Sequence, residues 1–109
     1  MAARYVTELH GYVVRERNYH CRYGEIDLIC FDGQVLVFCE VKLRRSTAYG
    51  EPEEALTPAK LAKLVRSAQT YVAVHALDEV DWRLDLVAIV LDARGQVSRL
   101  TLYQGVGGD

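Results

Sequence analysis

The sequence has no apolar run that approaches the roughly 20 residues needed to cross a bilayer. Residues 1–5 lack the apolar segment of a signal peptide, so neither a membrane span nor secretion is predicted. The cysteines are few and odd in number, and they show no CxxC spacing: Cys21, Cys30 and Cys39. This pattern argues against a disulfide framework and a zinc knuckle, and it predicts a reducing, cytoplasmic compartment.

The chain also lacks an excess of charge of either sign. Its 13 Lys and Arg against 15 Asp and Glu give a formal net charge of −2. That total does not itself indicate nucleic-acid binding, although a local basic patch can coexist with an acidic sum. No repeat, low-complexity tract or linker divides the sequence. Residues 1–109 are therefore predicted to form one domain, with residues 105–109 as a flexible tail.

Hydrophobic periodicity predicts the order helix, three strands, helix, two strands. The first helix is expected at residues 2–10, ending at Gly11, and strands follow at about 12–19, 25–31 and 35–43. Thr57 as N-cap and Pro58 at the first helical position predict a second helix to about residue 76. Two strands at about 83–91 and 97–103 complete the chain. This order predicts an α/β fold with a mixed β-sheet flanked by helices.

Asp32-Gly33 lies between the second and third strands and is a strong hairpin signal. A two-residue turn there pairs Phe31 with Gln34 and fixes the register of the two strands. One face of the predicted hairpin is wholly apolar: Ile26, Leu28, Cys30, Val35, Val37, Cys39 and Val41. The other face also carries large apolar residues, which indicates central strands buried on both sides.

Three charged residues share that second face in the predicted register. Asp27 and Glu40 become diagonal neighbours, which lie about 7–8 Å apart, and Lys42 lies two residues beyond Glu40. Two carboxylates at one end of a buried sheet repel each other unless a cation neutralises them. Mg²⁺ takes one or two carboxylates and leaves positions for water and phosphate, and the Val41 carbonyl is a further predicted ligand. The alternative is a buried ion pair that only holds the register.

Basic residues follow this motif. Arg44 and Arg45 are predicted to contact phosphates, with Lys60 as a further candidate. A solvated helix face explains Lys60, Lys63 and Arg66 equally well.

Two polar residues are weighed as supporting groups of the site. Glu25 either supports the predicted metal ligands or pairs with Lys42 or Arg22. Gln69 is a second supporting candidate, whereas Asp85 is predicted to make a structural hydrogen bond with Arg83.

Two stretches of the chain, GEIDLI at residues 24–29 and LVFCEVKLR at residues 36–44, resemble the YraN-like family of small bacterial proteins. That family is assigned a restriction-endonuclease-like fold similar to archaeal Holliday junction resolvases. Asp27, 12 intervening residues and Glu40-Val41-Lys42 match the core motif of the PD-(D/E)XK nucleases. The resemblance implies Asp27 and Glu40 as metal ligands, Lys42 as catalytic lysine, Mg²⁺ or Mn²⁺ as cofactor, and DNA, branched DNA included, as substrate.

The chain departs from the family pattern at its start. Family members usually carry a Gly-Glu pair upstream of the stretch matching residues 2–5, and the resemblance implies that its glutamate is an additional acidic member of the site. That glutamate is absent here, so either the N-terminal helix is shortened or this member dispenses with it, and Glu8 is a poorly placed substitute for it. The alternative function is a non-catalytic module on a nuclease fold that binds nucleic acid or protein. An open edge strand also allows a homodimer.

Overall fold

The computed structural model describes residues 1–46 and 50–107. Two α-helices and five strands follow the predicted order, and a short 3₁₀ helix precedes the second α-helix. Their bounds are Ala2–His10 (α1), Val13–Cys21 (β1), Gly24–Asp32 (β2), Val35–Arg44 (β3), Pro52–Ala55 (3₁₀), Pro58–Val74 (α2), Trp82–Leu91 (β4) and Val97–Gln104 (β5). The predicted α/β fold with a mixed sheet is confirmed.

The five strands form one sheet in the order β1-β2-β3-β4-β5. Neighbouring strands are antiparallel except β3 and β4, which run parallel from Leu36 beside Trp82 to Arg44 beside Val90. A parallel pair needs a crossover connection, and α2 supplies it. The sheet therefore has β3 at its centre and β1 and β5 at its open edges.

Each face of the sheet packs against one helix. The buried cluster on the α1 side includes Val6, Tyr12, Leu28, Cys30, Val37, Cys39 and Val87. The cluster on the α2 side includes Ile26, Ile29, Leu36, Phe38, Leu64, Ala68 and Tyr71. Successive residues of β3 alternate between the two clusters, as side chains on a strand must. The prediction that β3 is buried on both faces is confirmed.

The turn of the β2–β3 hairpin lies one residue later than predicted, which shifts each β2 residue by two positions along β3. Asp32 pairs with Val35 and Phe31 with Leu36, so Gly33 and Gln34 form the turn, not Asp32 and Gly33. Gly33 has φ of 60°, and a glycine with positive φ at the first central position is typical of a type II′ turn. Continued one residue beyond the last pair, Leu28–Cys39, this register places Asp27 opposite Glu40 and not diagonal to it.

Strand β2 changes face at Asp27. Ile26 packs on the α2 side, whereas Leu28 packs on the α1 side, although residues two apart on a regular strand share a face. The prediction that Ile26 shares the face of Leu28 is therefore wrong. Asn18, which lies across from Asp27 between the pairs Arg17–Leu28 and Tyr19–Ile26, has φ of 52°. The strand pair is thus irregular at the position of one predicted site residue.

The chain end is held to β4 as far as it is described. The Gly105 amide donates to Asp85 Oδ1 at 3.1 Å, and the Val106 amide donates to the Leu84 carbonyl at 2.9 Å. These two residues were predicted to belong to a flexible tail. Neither α-helix, within residues 1–46 and 50–107, has the length and apolar character that a membrane span requires.

Candidate functional site

Asp27 ties the beginning of β2 to the end of β3. Its Oδ2 accepts a hydrogen bond from the Val41 amide at 2.7 Å. The regular β2–β3 ladder ends at the pair Leu28–Cys39, so this side-chain bond satisfies a backbone donor just beyond the ladder. The irregularity of β2 at Asp27 therefore places its carboxylate between the two strands.

Glu40 lies opposite Asp27, and its side chain is 18% exposed. Burial, a hydrogen bond to Asp27 and the negative charge of Asp27 raise the pKa of Glu40 to about 8. Lys42 and the Val41 amide act in the opposite direction but do not offset these effects. Since two carboxylates in contact cannot readily both ionise, the pair holds a proton near neutral pH in the absence of another cation.

Lys42 lies beside this carboxylate pair. Its Nζ is 3.9 Å from Glu40 Oε2, and its side chain is 22% exposed. That distance is longer than a normal N–H···O hydrogen bond, so the two groups interact through charge and not through a tight contact. The structure thus brings together the four predicted residues Asp27, Glu40, Val41 and Lys42.

A cleft of about 270 Å³ opens beside Asp27. Arg17, Asn18 and the first residues of α1 line it together with Leu28 and Val41. Sequence reasoning did not identify Arg17 or Asn18 as neighbours of the site. The available signal was Asn18 itself, because asparagine within a strand is one of the few residues that readily adopt positive φ.

The other predicted residues lie around this group. Arg44 and Arg45 are exposed at the end of β3, and Lys60 is exposed on the first turn of α2. Glu25 pairs with His20 at 3.3 Å, not with Lys42 or Arg22. Gln69 is exposed on α2, where it lines a hollow with Tyr23 and Arg66.

The oxygen donors at the site are two carboxylates and the neighbouring backbone. Over residues 1–46 and 50–107, no group of three or more His, Cys, Asp or Glu side chains converges as a metal site. A donor set of this kind suits a hard cation that keeps several waters, as Mg²⁺ does. It does not suit the closed four-ligand arrangement of structural zinc.

Asp85 belongs to a separate network of hydrogen bonds, in which it is itself fully buried. It is 0% exposed, and it accepts hydrogen bonds from Arg83 Nε at 3.0 Å and Tyr12 Oη at 2.6 Å. Arg83 also reaches Asp32 at 2.8 Å. The predicted structural bond between Asp85 and Arg83 is confirmed, and it links β4 to the start of β1 and the end of β2.

Comparison with known proteins places the chain among small bacterial sequences. The model of "Uncharacterised protein family UPF0102" matches residues 1–89. A UPF0102 protein of Nocardioides sp. is 46% identical over 107 residues, which cover 98% of this chain and 85% of that protein. Those of Beutenbergia cavernae and Syntrophus aciditrophicus are 46% and 44% identical, covering 92% and 87% of this chain and 84% and 74% of their own lengths.

Proposed function

The chain belongs to the uncharacterised protein family UPF0102, the YraN-like family, and we propose that it is a metal-dependent nuclease that hydrolyses DNA phosphodiester bonds. The observation that carries this proposal is the contact between the Asp27 and Glu40 carboxylates beside Lys42. This grouping coincides with the Asp, Glu-x-Lys pattern that nucleases of the PD-(D/E)XK type share. The proposal assigns the restriction-endonuclease-like fold to the sheet described above.

The raised pKa of Glu40, about 8, supports a cation at this position. A divalent ion bound between the two carboxylates would replace the shared proton and remove the repulsion that now favours protonation. Asp27 and Glu40 would hold the ion, with the Val41 carbonyl as the third protein oxygen. Mg²⁺ or Mn²⁺ suits this set, because each accepts carboxylate and carbonyl oxygens and Mg²⁺ usually retains waters.

The chemistry divides between the ion and the chain. When bound, such an ion polarises a phosphoryl oxygen and lowers the pKa of a coordinated water. Lys42 would stabilise the negative charge that develops on the phosphate. Its ammonium group is only partly exposed and stands 3.9 Å from Glu40, so its hydrogen-bond donors are not committed to that carboxylate.

A purely structural ion pair explains the geometry less well. A pair that stabilises the hairpin should lower the pKa of Glu40, because a nearby cation favours the carboxylate. Instead the pKa of Glu40 is raised even with Lys42 close by. Burying an acid in this state opposes stability, which is typical of a site retained for binding or catalysis.

The test combines metal binding with cleavage. We expect calorimetry to detect Mg²⁺ or Mn²⁺ binding to the wild type and weaker binding to Asp27→Asn and Glu40→Gln. The wild type should cleave plasmid, single-stranded or four-way-junction DNA with metal and not with EDTA. Lys42→Ala should lower the rate by about a hundred-fold while metal binding persists.

Glu79→Gln is the matched control, because it removes the same charge at an exposed position in the loop before β4. It should cleave at the wild-type rate. A wild type that binds no metal would overturn the proposal, and equal cleavage by wild type and Lys42→Ala would assign the activity to a contaminant. Metal and DNA binding without cleavage would favour the non-catalytic module.

A further inference from the structure

A basic surface lies along one side of α2. The helix Pro58–Val74 contains Lys60, Lys63 and Arg66 and no Asp or Glu. All three cations are exposed, and their spacing of three residues places them on neighbouring positions of the helix surface. The helix therefore presents positive charge that its own sequence does not neutralise.

The turn between β1 and β2 adds to this surface. Two guanidinium groups lie close to the Tyr23 ring, with Arg22 Cζ 4.9 Å and Arg66 Cζ 5.6 Å from its centre. Both distances fall within the range of cation–π attraction. The packing of α2 over β2 brings them together: a methyl group added at Gly24 would lie 3.8 Å from Ser67 Oγ.

Two adjoining hollows follow the line where the turn meets the helix. They have volumes of about 360 and 340 Å³ and share Tyr23 and Arg66. We call this feature the Tyr23 groove, and its polar and aromatic lining residues are Arg22, Tyr23, Lys63, Arg66, Gln69 and Thr70. The groove thus offers cations, an aromatic ring and hydrogen-bonding side chains along one continuous track.

We propose that the Tyr23 groove binds a single nucleic-acid strand, with phosphates against its three cations and an unpaired base stacked with Tyr23. The choice of ligand rests on the proposed nuclease function. Proteins that bind single-stranded nucleic acid without sequence preference typically use a positively charged groove lined with aromatic side chains. Tyr23 precedes Asp27 by four residues, about 13 Å of extended chain, so a bound strand would need to span that distance to reach the candidate site.

The charges around the groove favour a polyanion. Glu25, at the start of β2, is the acidic residue nearest in sequence to the β1–β2 turn, and it is paired with His20 at 3.3 Å. The acidic residues Asp78, Glu79 and Asp81 follow the C-terminal end of α2 and do not line the groove. A strand in the groove therefore meets cations on both the turn and the helix, while the formal net charge of −2 arises elsewhere.

The phosphate contacts are tested by equilibrium binding in EDTA, where no cleavage is needed. The probe is a fluorescent single-stranded oligonucleotide of about 12 nucleotides. The triple variant Arg22→Gln/Lys63→Gln/Arg66→Gln removes three phosphate contacts. Each contact to a single strand contributes about 0.7 to the slope of log affinity against log salt concentration, so the slope of the variant should be shallower by about 2. Between about 50 and 200 mM salt, the wild type should consequently lose roughly twenty-fold more affinity than this variant.

The matched control is Arg4→Gln/Arg94→Gln/Arg99→Gln, which removes the same charge from exposed positions on α1, the β4–β5 turn and β5. It should keep the wild-type slope. Equal slopes for the two triple variants would overturn the proposal, as would a wild type that binds no oligonucleotide at low salt. Circular dichroism of both variants verifies that the fold is retained.

The stacking contact has its own test. Tyr23→Leu should bind the single strand at least about five-fold more weakly and bind duplex DNA as the wild type does, whereas Tyr23→Phe should resemble the wild type. Unchanged single-strand affinity of Tyr23→Leu would overturn the stacking contact. Binding is measured without metal, so it is independent of cleavage. If the groove variants lose binding but the wild type does not cleave DNA with metal, only the nuclease function is refuted. If the wild type cleaves DNA but the groove variants bind it equally well, only the proposed binding to the Tyr23 groove is refuted.

Discussion

Glu40 makes the metal-free protein sensitive to pH. Its pKa is raised from 4.5 to about 8 in the folded chain, so between these values the folded state binds more protons than the unfolded state. The free energy of unfolding must then fall as pH rises through this window. We expect a loss of up to a few kcal/mol between pH 5 and pH 8, and little further change below the unfolded value.

Glu40→Gln removes this titration. In EDTA, urea unfolding of the variant should give a nearly constant free energy from pH 5 to pH 8, and the variant should exceed the wild type in stability at pH 8. Glu79→Gln, at an exposed position, should keep the wild-type dependence. Parallel pH profiles for wild type and Glu40→Gln would show that the carboxylate pair is not strained.

Asp85 is a residue whose role is structural. It is fully buried, and it accepts hydrogen bonds from Tyr12, Arg83 and the Gly105 amide. Asp85→Ala would leave the partly buried Arg83 charge with fewer acceptors and should lower the free energy of unfolding by about 3–5 kcal/mol. Asp78→Ala, at an exposed position, should change it by no more than about 0.5 kcal/mol. Equal urea midpoints for the two variants would contradict this assignment.

The elements themselves were largely predictable, and the reasons are local. The signals for helix ends and strands depend only on nearby residues, as with Thr57 and Pro58 at the start of α2 and Gly11 at the end of α1. The predicted helix and strand positions therefore agree with the structure to within a few residues. The register of the β2–β3 hairpin was not predictable in the same way, because a two-residue turn could be formed either by Asp32 and Gly33 or by Gly33 and Gln34. The observed pair Asp32–Val35 and the absence of a positive φ at Asp32 distinguish between them.

The features that the sequence did not reveal depend on contacts between elements. The change of face at Asp27 accompanies the left-handed backbone of Asn18 on the neighbouring strand, and no local pattern in β2 encodes it. The contact between Tyr23 and Arg66 likewise requires α2 to lie across β2. The grouping of Asp27, Glu40 and Lys42 was nevertheless predicted, because both the assumed and the observed registers bring Asp27 and Glu40 together.

The start of α2 carries a cap whose contribution can be measured. Thr57 Oγ1 accepts a hydrogen bond from the Lys60 amide at 3.3 Å, and Pro58 occupies the first turn. Thr57→Ala should lower the free energy of unfolding by about 1 kcal/mol, whereas Thr57→Ser should retain most of it. Urea denaturation decides, and an Ala variant as stable as the Ser variant would show that this side chain does not cap the helix.

At the scale of the whole molecule, the weak net charge conceals an uneven distribution. Arg22 of the β1–β2 turn lines one hollow with Lys63 and Arg66 of α2. Arg44 and Arg45 are exposed at the end of β3, beyond Lys42 in sequence. Acidic residues are concentrated before β4 and in the 3₁₀ helix. An overall charge of −2 is therefore compatible with binding a polyanion, because the local potential and not the sum governs association.

Metal binding at the proposed site should stabilise the entire fold. A ligand that binds only the folded state adds about 1.4 kcal/mol when its concentration is ten times Kd. For a chain of this size, that corresponds to a rise in Tm of roughly 5 to 10 °C. The effect should be larger at pH 8 than at pH 5. The pKa of the Glu40 carboxyl is about 8, so at pH 5 a bound proton competes with the ion for this group.

Thermal scans with Mg²⁺ or Mn²⁺ against EDTA measure the shift. Asp27→Asn should show a smaller shift than the wild type, and Glu79→Gln should show the wild-type shift. A wild-type Tm that metal leaves unchanged at both pH values would remove the basis for a metal at Asp27 and Glu40.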